Sequence, residues 1–313
     1  VQATLDAILA RRAKLIQPRW RQKILHLLSL EMYRRGVKTA DKALLLTAAS
    51  FVTSAGFTPY FDRIENIDRF KNTRAWKYDR DAYYAAPREI YRWPSTATKP
   101  DKPPAEMKVL AVSASPRKDA NTEVIMLEAM RAATDLGASA EMLRIQKLKI
   151  GYCVGCRKCK QPGYQKLCSI DDDMTDIYAR IQDCDAMIIG FPVYTGRESA
   201  QLSVFFDRLD CFRRFDAHED RVTATRLLKP GRRGMIIGTW GYQNVTTYDH
   251  VVEKMATLMN GHRIEPVEAL SASGFSGMLQ GFDDDGKAMI RHYPEELAKA
   301  YAAGRALVAG CET

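Results

Sequence analysis

From residue 108 to the C-terminus, short apolar runs alternate with longer amphipathic segments, and this alternation constrains the fold more than any other feature of the chain. The runs at 108–113, 139–145, 185–190, 234–239 and 265–270 have the length and bounding residues of buried strands. Residues 122–137, 173–183, 199–210, 248–260 and 294–308 read as the helices that follow them. Strands alternating with helices in this way predict an α/β fold built on a doubly wound five-stranded parallel sheet. In such sheets ligands bind beyond the C-terminal ends of the strands, where the strand order reverses. The loops after the strands are therefore the places to look for chemistry.

The N-terminal third reads differently. Residues 1–55 predict a helical subdomain: Leu5, Ile8, Leu9, Leu15 and Ile16 share one helical face, and Ile24, Leu27, Leu28 and Met32 share another, stopped at Gly36. Residues 56–106 are dense in aromatics without a clean period, from Phe57 to Trp93, and end in a Pro-rich stretch. They read as an ordered wrapping segment and linker. Residues 107–313 are the α/β domain, with a cysteine loop at 151–170. Residues 1–106 hold 20 basic and 11 acidic side chains, while the rest hold 27 of each, so the whole +9 excess sits on the N-terminal third. That face reads either as solvated surface or as a dock for an acidic protein partner, such as a redox protein, or an anionic ligand. No basic recognition motif accompanies the charge, so no nucleic acid is expected. No apolar run has the roughly 20 residues of a membrane span, and no signal-peptide layout opens the sequence. A cytoplasmic location without membrane attachment is expected.

The loop after the first strand reads SASPRKDANT (113–122). It has no glycine, so it is not a dinucleotide fingerprint. Hydroxyls, an amide and one guanidinium lead directly into a helix, a set suited to a phosphate monoester. The same residues also suit an ordinary turn capped by Asn121 or Thr122. After the third strand comes GFPVYTG (190–196), and after the fourth, TWGY (239–242).

Together KVLAVSASPRKDANT and GFPVYTG resemble the NADPH-dependent FMN reductase and iron–sulfur flavoprotein family, over about residues 107–310. The resemblance implies a flavodoxin-like fold that binds FMN. Ser113, Ser115, Arg117, Asn121 and Thr122 would then hold the phosphate. Pro192, Val193, Tyr194, Thr195 and Gly196 would line the ring, and Thr239, Trp240 and Gly241 would close the pocket. Trp240 reads either as a shield for the ring or as a buried aromatic at a strand end. Two departures from the family pattern are Ala120, where Gly is common, and Arg197-Glu198 after the Tyr loop. Family members are commonly dimers or tetramers, so a homo-oligomer is expected.

Four of the seven cysteines are crowded as Cys153-x2-Cys156-x2-Cys159-x8-Cys168. Four thiolates at this pitch suit a [4Fe–4S] cluster, or zinc, or stand as free thiols beside the site. The segment resembles the compact cysteine motif of iron–sulfur flavoproteins, with a longer final gap. Lys158, Lys160 and Lys166 would offset the cluster's charge. Cys184 and Cys211 read as core residues, and Asp171, Asp172 and Asp173 as caps of the next helix. No triad or catalytic histidine is readable, so the chemistry would lie on the FMN. The leading expectation is an iron–sulfur flavoprotein oxidoreductase passing electrons between FMN and the cluster. The alternatives are an NAD(P)H-dependent FMN or quinone reductase without a cluster, and a non-enzymatic electron-transfer or accessory subunit docked through the basic third.

Overall fold

The structure is a computed structural model; it describes residues 88–217, 222–241, 248–275, 281–283 and 285–311. All of them fall within the compact unit Ala86–Thr313. The helices expected in 1–55, the aromatics before residue 88 and most of the basic excess lie outside the described residues.

Five parallel strands form the centre: β2 (Lys108–Ser113), β3 (Ser139–Arg144), β4 (Ala186–Tyr194), β8 (Arg232–Trp240) and β9 (Ile264–Ser273). Their spatial order is β3-β2-β4-β8-β9. Numbered among themselves, the strands run 2-1-3-4-5, the flavodoxin-like order, with its switch point between β2 and β4. The expected five-stranded sheet is thus present, and it is extended. Glu89–Arg92 forms β1, which adds antiparallel to the outer edge of β9. Arg197–Glu198 forms β5, which folds back antiparallel on β4.

Helices cover both faces. α1 (Asn121–Asp135) and α5 (Pro294–Ala309) lie on one. α2 (Met174–Asp183), α3 (Ala200–Leu209) and α4 (Asp249–Gly261) lie on the other. Strand parity decides which side chain goes where. In β4, Met187, Ile189, Phe191 and Val193 join the core of α2, α3 and α4, while Ala186 and Ile188 join that of α1 and α5. Ile188, Ile189 and Phe191 are fully buried, and each such side chain is worth about 1.5–3 kcal/mol of transfer free energy.

Besides β1 and β5, two further features were missed in the sequence. The first is a hairpin, β6 (Arg213–Ala217) with β7 (Val222–Arg226), after α3. The second is the stretch 94–104, read as a linker. It is a strap with its backbone groups committed: Thr96 N–H donates to Val267 O, Cys311 N–H to Ala97 O, and the Arg233 guanidinium to Thr98 O at 2.7 Å. Prolines there suppress regular structure without preventing packing. Arg232 and Arg233 begin β8 and reach opposite faces. Arg232 Nε donates to Ile181 O near the end of α2, and Arg233 Nε to Leu307 O near the end of α5. Each places a cation on helix-terminal carbonyls, where the dipole favours it.

His262 follows α4 and is 5% exposed against Phe206. Burial, then the charge of Arg213, pushes its imidazole down to about 4. In the unfolded chain it takes up its proton near the ordinary 6.5. This contribution to stability is therefore complete above pH 6.5 and is lost as the pH falls toward 4. Urea unfolding at pH 7 and pH 4 should show wild type losing on the order of 3 kcal/mol more than His262→Phe. Equal losses would place the acid sensitivity elsewhere.

Candidate functional site

The register brings the three loops together. Ser113 of β2 pairs with Gly190 of β4, and Pro192 of β4 pairs with Thr239 of β8. All three loops thus leave the sheet side by side at the switch point.

The first loop ends on a helix with no side-chain cap. Ala120 holds the N-cap position in an extended conformation, and the first turn of α1 is buried. A buried, uncapped helix start leaves backbone donors to be satisfied by a ligand, and the dipole favours an anion. This fits a phosphate group. Ser115 Oγ lies within the loop, donating to Arg117 O at 3.0 Å and accepting from Arg117 N–H at 3.3 Å. Arg117 is exposed and lies over the Phe282 ring at 5.7 Å.

Three residues expected at the phosphate are committed elsewhere. The Asn121 amide donates to Phe275 O and to Gly281 O (2.7 Å), and its oxygen accepts from Ile290 N–H at 2.8 Å. Its side chain therefore clips the segment after β9 and has no donor left for a phosphate. Thr122 Oγ1 sits 2.6 Å from Thr239 Oγ1, fully inside. Ser113 Oγ donates to Glu123 Oε1 at 2.9 Å. These residues can serve the phosphate loop through their backbone only.

Glu123 went unnoticed in the sequence, although an acidic residue at the third helical position signals a helix start. It is fully buried, takes Ser113 Oγ and Asp119 N–H (3.0 Å), and pairs with Arg144 at 3.0 Å. One carboxylate thus ties the ends of β2 and β3 to the loop. Asp119 sits in the left-handed region, φ 56°, under that tie.

The second loop is tighter than expected. β4 runs on through Tyr194, so Pro192 and Val193 belong to the strand and are buried in it. Thr195 and Gly196 alone make the turn, both with positive φ (53° and 76°). That is a two-residue hairpin turn, whose second position favours glycine. The hairpin's exposed surface is Tyr194, Thr195 and Arg197. Burial raises the Tyr194 phenol above its ordinary value, against a smaller opposing effect of the Arg117 charge. Ser199 Oγ, just past the hairpin, donates to Ala114 O at 3.1 Å and ties it to the phosphate loop. In the third loop, Thr239 and Trp240 are fully buried within β8. Trp240 packs edge-on to Tyr248 at 5.7 Å in the core under α4. It is a core aromatic at the strand end. Gly241 is half-buried at the strand end, and Tyr242 lies outside the described residues.

The four clustered cysteines follow β3. Cys153 and Cys156 are exposed, while Cys159 and Cys168 are half-buried against the core. Ser169 and the Lys158 backbone hold the Cys156 thiol below its ordinary value, and burial pushes that of Cys159 up. Lys160 is committed to an ion pair with Asp210 at 2.9 Å. Four thiols in one loop are the right number and kind of donor for a cluster or zinc. Among the described residues, however, no three Cys, His, Asp or Glu side chains converge on a metal position. Cys184 and Cys211 are core residues, as expected, with thiols pushed by burial up to about 11 and about 12. Among the described residues no helix is long and apolar enough to cross a membrane.

Residues 107–245 match the family described as NADPH-dependent FMN reductase. An iron–sulfur flavoprotein of Methanocaldococcus jannaschii is 37% identical over 102 residues, covering 33% of this chain and 51% of that protein. One from Methanosarcina thermophila is 35% identical over 129 residues, 41% of this chain and 66% of that protein. The chain thus spans about half to two thirds of the length of these relatives. Among solved structures, an NAD(P)H:quinone oxidoreductase from Methanothermobacter marburgensis superposes with a TM-score of 0.49 at 17% identity, covering 66% of this chain and 99% of its own.

Proposed function

We propose, from the match of residues 107–245 to the family described as NADPH-dependent FMN reductase, that this protein is a flavin-dependent oxidoreductase with FMN at the switch point of its sheet. The observation that carries this reading is the buried, uncapped start of α1 beside the 194–196 hairpin, which Ser199 ties to Ala114 of the phosphate loop. The FMN phosphate would rest on Arg117 and the backbone N–H groups opening α1, with the Ser115 hydroxyl turning from Arg117 O to meet it. The isoalloxazine ring would lie against Tyr194, Thr195 and Gly196. When bound, FMN supplies both one- and two-electron redox chemistry. The chain's own part is to hold the phosphate, orient the ring and keep one ring face open to a second reactant. NAD(P)H is the electron donor that suits this family.

We assign a [4Fe–4S] cluster to Cys153, Cys156, Cys159 and Cys168 as the second redox centre. Its support is the four-thiol donor set together with the relatives' name. A specific observation favours the second reading, a cluster-free NAD(P)H-dependent FMN or quinone reductase: the thiols do not converge among the described residues. A homo-oligomer suits both readings, and a redox partner at the basic N-terminal third belongs to the electron-transfer or accessory-subunit alternative.

Anaerobic reconstitution with FMN, iron and sulfide separates the two. One FMN and roughly four irons per chain are expected, with the iron lost in Cys156→Ala. One FMN without iron selects the cluster-free reading, and no bound FMN sinks both. Arg117→Ala should weaken FMN binding by roughly 10–100-fold, the worth of a charge-assisted contact, read by flavin fluorescence. Unchanged affinity would move the phosphate elsewhere.

A further inference from the structure

The described fold spends a fully buried guanidinium on a loop. Arg208, near the end of α3, has 0% side-chain exposure. Its Nη2 donates to Asp172 Oδ1 at 3.0 Å, and its Nη1 to Asp172 Oδ2 and to Gly151 O at 2.7 Å. Asp172 in turn accepts Gly151 N–H at 2.8 Å and Met174 N–H at 3.0 Å. Burial opposes the charge of Asp172, but Arg208 and these backbone donors hold its carboxyl below the usual range. One ion pair therefore satisfies both backbone groups of Gly151 and joins the two ends of the loop that carries all four clustered cysteines. A second tie lies beside it: Lys149 N–H donates to Asp173 Oδ2 at 2.7 Å.

The rest of the loop is fastened to the same place. Lys160 pairs with Asp210, and Arg214 Nη2 donates to Tyr164 O at 3.2 Å. Arg208, Asp210 and Arg214 all lie at the end of α3 or just beyond it. At its other end α3 follows the 194–198 hairpin, and Ser199 Oγ donates to Ala114 O at 3.1 Å. This ten-residue helix, about 15 Å long, thus joins the flavin loops to the cysteine loop.

A buried ion pair is poor value as plain stabilisation, because desolvation consumes most of its attraction, and Arg208 Nε is buried without a partner. An apolar side chain would fill the space more cheaply. What the pair supplies is one defined arrangement of the loop ends. We propose that Arg208 and Asp172 form a positioning latch that closes the neck of the cysteine loop and sets its thiols against α3, in fixed relation to the flavin hairpin. The latch deepens the reading of the loop as a redox centre, and only its consequence for iron rests on that reading.

Full-length Arg208→Lys and Asp172→Asn, with FMN and without iron, test it by pulsed iodoacetamide labelling and mass spectrometry. Cys153, Cys156 and Cys311 are exposed references, Cys159 and Cys168 are half-buried reporters, and Cys184 and Cys211 report global opening. Labelling of Cys159 and Cys168 relative to Cys153 should rise roughly tenfold, with Cys184 and Cys211 unchanged, as for local opening. FMN affinity should move by less than about threefold, because the flavin loops are distant from the change. Iron retained after reconstitution should fall below half of wild type. Unchanged labelling at Cys159 and Cys168, an equal rise at Cys184 and Cys211, or failure of both variants to fold overturns the latch. If wild type takes up no iron, the cluster assignment fails while the labelling still decides the latch.

Discussion

Gly304→Ala is expected to destabilise the domain by about 3 kcal/mol, lowering its melting temperature by roughly 6–12 °C. Gly304 lies in α5 where that helix crosses α1. A Cβ there would stand 2.1 Å from Ala129 O and 2.8 Å from its carbonyl carbon and Cα. All three are backbone atoms, so no side chain can turn aside and the helices must part. Intrinsic propensity pushes the other way: Gly→Ala inside a helix is worth up to about 1 kcal/mol of stability. The sign of the change therefore reports the close approach. Gly261→Ala is the control, because a Cβ there meets nothing within 4 Å, and it should be neutral or slightly stabilising. Displacing α1 also moves its N-terminus, so FMN binding should weaken in parallel. A Gly304→Ala protein as stable as wild type would mean that α1 and α5 are not in this contact.

The inner strands β2, β4 and β8 were legible because they are buried on both faces and so read as continuous apolar runs between turn residues. Asp185 to Gly190 is such a run, although β4 continues through a proline that only the structure shows to be in strand. The edge strand β1 carries alternating polar residues and precedes a Pro-rich stretch, so nothing local marks it. Its pairing with β9 is supplied by residues some 180 positions away. The site was legible as types of residue in three loops, while the direction of each side chain was not. Ser113, Asn121 and Thr122 suit a phosphate by chemistry, but tertiary partners claim all three. Arg208 was unreadable for the opposite reason. It sits beside Leu202, Phe205 and Leu209 on the apolar face of α3, where a charge signals a buried partner without naming it.

The second large effect is expected at Glu123, where two electrostatic arguments point in opposite directions. Glu123→Ala removes a fully buried carboxylate and leaves the Arg144 guanidinium, Asp119 N–H and Ser113 hydroxyl without it. Breaking a buried pair from one side costs about 3–5 kcal/mol, which urea unfolding will read. Arg144 is 26% exposed and recovers some hydration, which favours the lower end. For FMN the sign is less obvious. Loss of a negative charge near the phosphate loop, with Arg144 left uncompensated, strengthens attraction for a dianion. Loss of the tie on Asp119 lets the left-handed loop relax, and a less organised cradle binds more weakly. The double variant Glu123→Ala, Arg144→Met separates these effects, since it removes both charges and leaves only the scaffold defect. Its FMN affinity should fall roughly tenfold, and its stability should exceed the sum of the single changes by about 2 kcal/mol. An affinity in the double variant equal to that of wild type would show that the phosphate loop keeps its shape without Glu123. The uncapped α1 terminus, with Arg117, would then be the whole of the phosphate site.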